Sequence, residues 1–459
     1  MYGINVGFEI AKRALLAQQY AMNIAGHNIA NVNTPGFTRQ DMILESSVPL
    51  SIYPNTVGTG VQITEIRRLR SIFLDTQMYK ENRELGSWQT LDKTWNHIEM
   101  IFNEPSETGL SQILSDFWAS LQDLSDSPEN SAAKNAVKEK ASMLITTFHH
   151  LDTQLRDLKD TLDVDIQQSV TQLNGYATQI ANLNKQIVQL EITGSSANDL
   201  RDQRDFLVEQ ASKIVNIRTL ENSNGSVNVF VGAMALVDYD QTIEMETTTT
   251  YTSGSPYTSI VWSANQRDVS ISGGELEGLI EARDVSIPEN LNQLDELAAQ
   301  LVASINSVHS TGYTIDGMTG INFFNPDGTT AASIGLSQDI INNANNIATS
   351  KDEAAGDNTI ILEILDLRKQ SLMDDGRATF EGFYSSMIGT VGTRAQEASN
   401  MNNNQQLLVN QLEFHRQSLQ GVSLDEEMTK LISYQHAYDA AAKVISTMDE
   451  ALTTLINMV

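Results

Sequence analysis

Apolar residues recur at spacings of three and four near both ends of the chain, as on one face of a long helix. Near the start the repeat follows Ile4, Phe8, Ala11, Leu15, Gln18, Met22, Ala25 and Ile29. Near the end it follows Leu424, Met428, Leu431, Gln435, Tyr438, Ala442 and Ile445, and then Met448, Leu452, Leu455 and Val459. This is the heptad spacing of coiled coils, so the pattern predicts two terminal helices that pack through these residues.

The apolar repeat continues to the last residue, although chain ends are usually polar and frayed. An isolated pair of helices buries little apolar surface. The free energy gained by that burial is small compared with the conformational entropy lost when the helices become ordered. We therefore expect the terminal helices to be disordered in the monomer and to order between copies. The expected assembly residues are Phe8, Leu15, Met22, Ile29, Met428, Leu431, Tyr438, Ile445, Leu452 and Leu455.

The interior of the chain combines long helical periods with one short β segment. Helical spacing from Leu144 to Leu190 predicts a rod of roughly 70 Å at about 1.5 Å per residue. Between residues 214 and 273 apolar residues alternate, and Asn224-Gly225 favours a two-residue hairpin turn. Residues 311–358 are rich in Gly, Asn, Asp and Thr, which is typical of irregular structure. The expected fold is mainly α with a small inserted β domain.

Composition excludes several classes of partner. The chain has 58 acidic and 29 basic residues, a net charge of −29, which would repel nucleic acid and anionic membranes. It has no cysteine, so disulfides and thiolate sites are excluded. No apolar run is long enough to span a membrane, and the N-terminal stretch does not resemble a cleavable signal peptide. We expect no nucleic-acid or membrane partner.

No catalytic, cofactor-binding or metal-binding residues are predicted. His149 and His150 are adjacent on a helix and face different directions, so one is expected in solvent and one half-buried. Ser131 and Lys134 have the spacing of a Ser-x-x-Lys nucleophile, but the companion motifs are missing, and Ser131 is expected to begin a helix. The acidic run Asp199, Asp202, Asp205 and Glu209 is expected to be a solvated, salt-bridged helix face.

Two segments resemble signatures of the bacterial flagellar rod, hook and hook-associated proteins. The first, residues 28–40, reads Asn-Ile-Ala-Asn-Val-Asn-Thr-Pro-Gly-Phe-Thr-Arg-Gln, and its Pro-Gly pair fits a type II turn. The second is Gly421-Val422-Ser423-Leu424-Asp425-Glu426-Glu427, in which Ser423 and Glu426 match a capping box. The motif residues carried over are Asn28, Asn31, Asn33, Thr34, Gly36, Phe37, Arg39, Gln40, Ser423, Leu424 and Glu426. Residues 198–205 and 273–276 resemble hook-associated members in particular.

The resemblance implies an elongated, multidomain axial protein whose terminal helices pair as a coiled-coil core layer. In matching positions, the core domain is 1–35 and 421–459, and the middle domain is 36–213, 274–310 and 359–420. The outer β domain is 214–273, and 311–358 is an irregular insertion.

The resemblance further implies a non-enzymatic adaptor, a ring of subunits between hook and filament. Its expected partners are other copies, the hook protein, the second hook-filament junction protein and an export chaperone on the C-terminal helix. It would be extracellular after flagellar type III export, without a cleavable signal peptide. A rod or hook subunit is the alternative within the family, although the helical stretch 144–190 disfavours it. A surface-displayed hydrolase is the alternative from another class.

Overall fold

The computed structural model describes residues 2–52, 55–252, 255–352, 354 and 356–458, and within them eleven α-helices and ten strands. The helices are α1 (Tyr2–Ala30), α2 (Ile72–Phe102), α3 (Leu110–Asp126), α4 (Ser131–Glu191), α5 (Asn198–Ile214), α6 (Glu275–Glu281), α7 (Ile287–His309), α8 (Gln338–Asn342), α9 (Thr359–Leu367), α10 (Phe380–Gln420) and α11 (Leu424–Asn457). The strands are β1 (Gln40–Ser46), β2 (Leu50–Ile52), β3 (Asn55–Val57), β4 (Val61–Arg68), β5 (Ile217–Glu221), β6 (Val227–Val231), β7 (Met234–Asp238), β8 (Gln241–Thr242), β9 (Met245–Thr252) and β10 (Ser255–Trp262). The prediction of a mainly α fold with a small β insertion is confirmed.

Two compact units divide the chain. The first contains Met1–Leu85, Val170–Gly274 and Gln405–Val459, and the second contains Gly86–Ser169 and Glu275–Asn404. All ten described strands belong to the first unit, where β5-β6-β7-β8 form an antiparallel sheet and β1-β4, β2-β3 and β9-β10 form two-stranded ribbons. The division into four domains that was predicted from the sequence stays a prediction.

The turn between β5 and β6 differs from the predicted two-residue hairpin. The strand register pairs Glu221 with Val227, so the connection has five residues, and Asn224-Gly225 lies within it. The Asn222 amide donates to the Ser226 carbonyl at 2.8 Å, and Gly225 has a φ of 84°. The Asn-Gly dipeptide does supply a turn, but a side-chain network around Asn222 widens the loop.

The second unit has an aromatic core. The Phe117 ring lies 5.4 Å from the Trp118 ring, 6.0 Å from Phe323 and 6.4 Å from Phe324. Phe323 and Phe324 come from the predicted irregular insertion, which also contains α8 and a short 3₁₀ turn, Ala344–Asn346. The insertion therefore supplies core side chains despite its polar composition.

A wider helical turn precedes Pro288. Ala282–Ser286 form a π-helical turn between α6 and α7, and Pro288 lies at the start of α7. Because proline has no backbone N–H and collides with the preceding turn, the irregular turn accommodates it.

The pairing of the terminal helices, α1 with α11, is confirmed. The helices run antiparallel, since Gly7 meets Met448 at one end while Asn28 meets Glu427 at the other. A methyl group on Gly7 would lie 2.4 Å from the Met448 Cε, so the end of the Met448 side chain lies directly over Gly7.

Candidate functional site

The two signature segments, far apart in sequence, meet in the first unit. We call this meeting point the signature node and define it by Asn28, Arg39, Gln40, Glu426 and Glu427. Asn28 is fully buried, and its side-chain amide binds both backbone groups of Gln40: Oδ1 accepts from the Gln40 N–H at 3.0 Å, and Nδ2 donates to the Gln40 carbonyl at 2.9 Å. The amide thus acts as a strand partner for the first residue of β1.

Glu427 connects α11 to that arrangement. One of its carboxylate oxygens accepts from the Asn28 Nδ2 at 2.9 Å, and the other lies 3.0 Å from the Arg39 guanidinium. The same guanidinium lies 2.9 Å from the carboxylate of Glu426, which is mostly exposed. The Arg39 N–H donates to the Gln420 carbonyl at 3.0 Å. Since a buried carboxylate needs charged or hydrogen-bonding partners, the position of α11 is tied to these groups.

The acidic run of α5 forms the far side of the node and is less solvated than predicted. Asp202 is buried, accepts from the Thr38 N–H at 2.8 Å and pairs with Arg68 at 2.8 Å. Asp199 is exposed, as predicted, and accepts from the Gln40 side chain at 2.7 Å. The prediction of a salt-bridged face is confirmed, but solvation is wrong for Asp202 because β1 and β4 cover it.

A cluster of arginines neutralises the buried carboxylates. Burial raises the pKa of Asp202, and Arg68 opposes that rise only in part. Burial also acts to raise the pKa of Asp205, but Arg204, Arg70 and Arg68 outweigh it and hold that pKa below its usual range. The cluster therefore keeps Asp205 ionised, and it fixes α5 against the end of β4.

The turn inside the first signature has the geometry predicted for Pro35-Gly36. The Phe37 N–H donates to the Thr34 carbonyl at 3.1 Å, and Gly36 has a φ of 76°. A Cβ on Gly36 would also lie 2.8 Å from the Cβ of Phe206, so glycine is required there for two reasons. Asn31 caps the end of α1 by donating to the His27 carbonyl at 3.0 Å.

Four other signature residues lie at the surface of this turn and of α11. Asn33 and Thr34 are exposed, and Thr34 donates to the Asn31 side chain at 3.1 Å. Ser423 begins α11, with its hydroxyl 3.5 Å from the Glu426 N–H, while the Glu426 carboxylate pairs with Arg39 instead of completing the capping box. Leu424 is 45% exposed.

The predicted assembly residues lie beside the contact between α1 and α11 more often than within it. Gly7 and Asn28 of α1 contact α11, and the buried residues at heptad spacing between them are the small Ala11, Ala21 and Ala25. Leu15, Met22 and Ile29 are half-buried and Phe8 is 38% exposed. Small side chains allow the helix axes to approach, so close packing selects them over the larger residues that a hydrophobicity ranking picks.

On α11, most of the predicted assembly residues lie on the side that contacts α1, and Met428 does not. Leu431, Tyr438, Ile445 and Leu452 are half-buried on the side that also carries Glu427 and Met448. Met428 is 56% exposed, so it is not part of the intramolecular contact. The side chain of Leu455, and residue Val459, lie outside the described residues.

Sequence reasoning missed several residues of the node, above all Glu427, Asp202, Arg68 and Asp205. Glu427 was passed over because Glu426 fitted a capping box, and Asp202 because its spacing matched an exposed helix face. The available signal was the Arg67-Arg68-Leu69-Arg70 run, which places three arginines at the end of an extended segment. Such a run in a strongly acidic chain indicates a nearby set of carboxylates.

The histidine pair and the Ser-x-x-Lys pair, which were considered for metal binding and catalysis, lie in ordinary structural positions. His149 and His150 are both exposed, and a His149 ring nitrogen lies 2.8 Å from the Ile334 carbonyl, so the half-buried position expected for one of them is wrong. Ser131 begins α4, while Lys134 is buried and donates to the Ile347 carbonyl at 3.0 Å. Within the described residues no group of three His, Asp or Glu side chains could hold a metal ion, and no helix is long and apolar enough to cross a membrane.

Comparison with known proteins identifies the family. The model of the "Flagellar hook-associated protein FlgK helical domain" matches residues 95–324, half of the chain. Models described as "Flagella basal body rod protein" and "Flagellar basal body rod FlgEFG protein C-terminal" match residues 8–38 and 418–458. The first of these matches includes residues 28–38 of the first signature segment, and the second includes all of the second segment, residues 421–427.

Individual relatives agree with this assignment. Flagellar hook-associated protein 1 of Bacillus subtilis is 32% identical over 98% of both chains. That of Salmonella typhimurium is 25% identical over 98% of this chain and 99% of the relative. The solved structure of the flagellar hook junction protein FlgK from Burkholderia pseudomallei aligns with a TM-score of 0.65 at 15% identity, covering 75% of this chain and all of that one, and so supports the fold. The chain belongs to the flagellar hook-associated protein 1 (FlgK) family and is a structural protein of the bacterial flagellum.

Proposed function

We propose that this protein is the adaptor that joins the flagellar hook to the filament, assembled as a ring of identical subunits after export through the flagellar type III apparatus. The observation that carries the proposal is the division of faces on the terminal helices. Small residues of α1 face α11, while larger apolar residues at the side of the pair remain partly exposed and available to another chain. Family membership limits the setting of that assembly to the flagellum.

The partly exposed residues form one continuous surface, which we call the terminal stripe. It consists of Phe8, Leu15 and Met22 on α1 with Met428 and Ile432 on α11. In each helix these residues lie about one position beyond the contact heptad, and in an antiparallel pair such flanks lie on the same side. Met428 and Ile432 are more than half exposed. The terminal stripe is therefore suited to contacts with neighbouring subunits.

The expected partners follow from this assembly. They are other copies of the chain, the hook protein on one side and the second hook-filament junction protein on the other. An export chaperone would cover the C-terminal helix until secretion, and the protein would reach the cell exterior without a cleavable signal peptide. We also propose that residues 1–35 and 421–459 order fully only on assembly, because the α1–α11 contact buries mainly alanine, which contributes little per residue.

A rod or hook subunit would share the terminal matches, so the matched helical domain of residues 95–324 separates the two alternatives. We place the protein at the distal end of the hook rather than along its length. A labelled antibody against residues of the second unit would locate it on isolated flagella: signal confined to the hook tip supports the adaptor, and signal along the hook or below it supports the alternative.

The main test uses paired substitutions on α11. Met428→Glu with Ile432→Glu puts two charges into the terminal stripe, whereas Thr429→Glu with Ser433→Glu puts the same charges one residue further around the helix, on exposed polar positions. We expect the first pair to yield exported protein in the medium and cells without attached filaments, and the second pair to leave filaments attached. Attached filaments in cells with the first pair would contradict the proposal.

A coarser version of the same test removes residues 421–459. The truncated chain should remain folded in its second unit and fail to support filaments. Amide exchange of the full-length monomer tests the ordering proposal: exchange should be fast in residues 1–35 and 421–459 and slow in the second unit. Slow exchange in both terminal helices of the monomer would show that they need no partner.

A further inference from the structure

The strand β5 lies at an open edge of the four-stranded sheet in the first unit. It pairs with β6 on one side, and four of its five residues are exposed: Arg218, Thr219, Leu220 and Glu221. Unpaired backbone groups at a sheet edge pair readily with another chain, so natural proteins often shorten or interrupt such edges. The opposite edge of this sheet, β8, is only two residues long. By contrast, β5 has the usual length of a strand and pairs with β6 without a register shift.

The backbone groups of Thr219 and Glu221 point towards this open edge. Val227 of β6 lies opposite Glu221, but its N–H donates to the Asn184 side chain at 3.0 Å, and its carbonyl accepts from the same side chain at 2.8 Å. Val227 and Glu221 are therefore a non-hydrogen-bonded pair of the antiparallel ladder, so the N–H and carbonyl of Glu221 point away from β6. Because the pattern alternates along a strand, the same holds for Thr219. Among the described residues these four groups have no hydrogen-bond partner.

A groove of about 620 Å³ runs along the same edge. Thr219, Leu220 and Glu221 line it in succession. Because successive side chains of a strand point to opposite faces, a groove lined by three consecutive residues follows the edge of β5 rather than one of its faces. The other wall includes Ile72 and Tyr79 of α2. Ile72 is 78% exposed and Leu220 is 57% exposed, so the groove offers apolar contacts to a segment that enters it.

Charge indicates the kind of segment that fits this edge. The chain has 58 acidic and 29 basic residues, yet Arg218 on β5 and Arg67 in the wall of the groove form no ion pair with any described residue. The Arg218 guanidinium lies over the Phe230 ring at 4.9 Å, which fixes its direction. One carboxylate of the wall, Glu65, is likewise without an ion pair in the described part of the chain. The uncompensated charge is therefore positive, and an acidic side chain directly opposite Arg218 is stabilised.

We propose that the open edge of β5 is a docking site for an extended segment of another protein, one that combines apolar residues with an acidic residue. The segment adds a fifth strand to the sheet, with hydrogen bonds to the backbone of Thr219 and Glu221. Apolar side chains on one of its faces enter the groove beside Ile72, and its acidic side chain pairs with Arg218. This inference goes beyond the proposed function and does not rest on it, because neither terminal helix takes part.

A labelled peptide and two proline variants test the edge. The probe is Thr-Val-Val-Glu-Val-Val-Thr with a fluorophore; its sequence reads the same in both directions, so it suits either strand direction. We expect saturable binding to the full-length chain by fluorescence anisotropy. Thr219→Pro removes an N–H that faces the open edge and keeps the hydrogen bonds to β6, so it should weaken binding roughly tenfold or more.

Ser223→Pro is the matched control. It places the same ring at the second position of the adjoining turn, where proline is favoured and where the Gly225 N–H donates to the Asn222 carbonyl at 3.0 Å. It should change binding less than about twofold, because this position lies beyond the edge. Circular dichroism and urea unfolding check that both proline variants fold.

Two N-methylated versions of the peptide test the pairing without altering the protein. Alternate residues of an added strand direct their N–H groups towards β5, so methylation of the odd-numbered or of the even-numbered residues removes opposite sets of donors. One version should bind roughly tenfold more weakly than the other. Equal binding of the two versions would overturn the proposal.

A charge exchange tests the chemistry of the partner. Arg218→Glu should weaken binding of the peptide roughly fivefold or more, and replacing the peptide's glutamate by lysine should restore binding to that variant. Lys185→Glu makes the same reversal at an exposed position of α4 in the first unit and should change binding less than about twofold. The absence of saturable binding, or a failure of the charge exchange, would overturn the proposal. Self-association of the full chain that Thr219→Pro abolishes would assign the added strand to a second copy, and the proposal of a different protein would then be wrong.

Discussion

Both compact units bury apolar side chains, and they differ in the cluster that marks each interior. The second unit packs Phe117, Trp118, Phe323 and Phe324 into a core that excludes water. The first unit has a buried set of charged and amide side chains at the signature node, and it leaves large apolar residues outside. An aromatic core stabilises a unit that is complete in itself. Buried polar groups fix the positions of the segments that they connect, but they add little to the free energy of unfolding. That combination suits a unit whose exposed apolar surfaces contact neighbouring subunits.

The largest expected effect comes from the aromatic core. Phe117→Ala removes a fully buried ring that contacts three others, and it should lower the free energy of unfolding of the second unit by about 3 to 5 kcal/mol. Three of the four tryptophans, Trp88, Trp95 and Trp118, belong to this unit, so tryptophan fluorescence during urea unfolding reports on it.

Met100→Ala is the control for that experiment, since Met100 is 69% exposed in the same unit. It should change the unfolding free energy by less than about 0.5 kcal/mol. Similar losses from both substitutions would mean that the aromatic cluster does not dominate the stability of the second unit, and the contrast between the two interiors would not hold.

The second unit also contains a buried histidine that makes its stability depend on pH. His309 is fully buried; one ring nitrogen lies 2.7 Å from the Ile321 carbonyl, and the other accepts from the Ala348 N–H at 3.0 Å. Burial lowers the pKa of His309 to about 4, with Lys134 contributing in the same direction. Because only the neutral ring can accept from Ala348, protonation breaks that contact.

The lowered pKa of His309 means that the second unit loses stability as the pH falls. Above about pH 6.5 the ring is neutral in both states, and the stabilisation is complete. Between pH 6.5 and about 4 the unfolded chain binds a proton that the folded chain does not, so stability falls by about 3 kcal/mol in total. Urea unfolding of the wild type and His309→Gln at several pH values isolates this contribution. Equal pH slopes for the two proteins would rule it out.

Local patterns predicted the helices well because burial along a helix repeats every three to four residues whatever it packs against. The phase of the terminal repeat was harder to assign. The same heptad can be drawn through Phe8, Leu15 and Met22 or, one position away, through Gly7, Ala14 and Ala21, and only the contacts made by α11, such as Met448 over Gly7, decide between them. Hydrophobicity favours the first choice and packing distance the second.

The signature node could not be assembled from sequence, because its contacts connect distant segments. Asn28 and Glu427 are 399 residues apart, and Arg68 and Asp202 are 134 apart. The resemblance to a family identified Asn28, Arg39 and Gln40, but it did not say which carboxylates they bind. Phe323 and Phe324 were missed for a related reason: their polar, glycine-rich surroundings indicated an irregular surface segment, whereas the fold places both rings in the core.

The smallest expected effect comes from a buried carboxylate of the first unit. Asp202→Asn removes a buried charge that Thr38 and Arg68 both contact, and Asp199→Asn makes the same change one turn earlier on α5 at an exposed position. Since burial raises the pKa of Asp202, its ionised form already carries a desolvation cost, and the loss should be only about 1 to 2 kcal/mol. Asp199→Asn should cost less than about 0.5 kcal/mol.

The Thr38 amide, which donates directly to Asp202 at 2.8 Å, reports this loss without relying on global unfolding. Its hydrogen exchange should accelerate roughly tenfold or more in Asp202→Asn, since about 1.4 kcal/mol corresponds to a factor of ten, and less than threefold in Asp199→Asn. If the exposed and buried aspartates gave the same acceleration, burial would not be what makes the carboxylate matter. The buried polar groups of the first unit could then be replaced with little loss of stability. Only its exposed apolar surfaces would indicate a role in assembly.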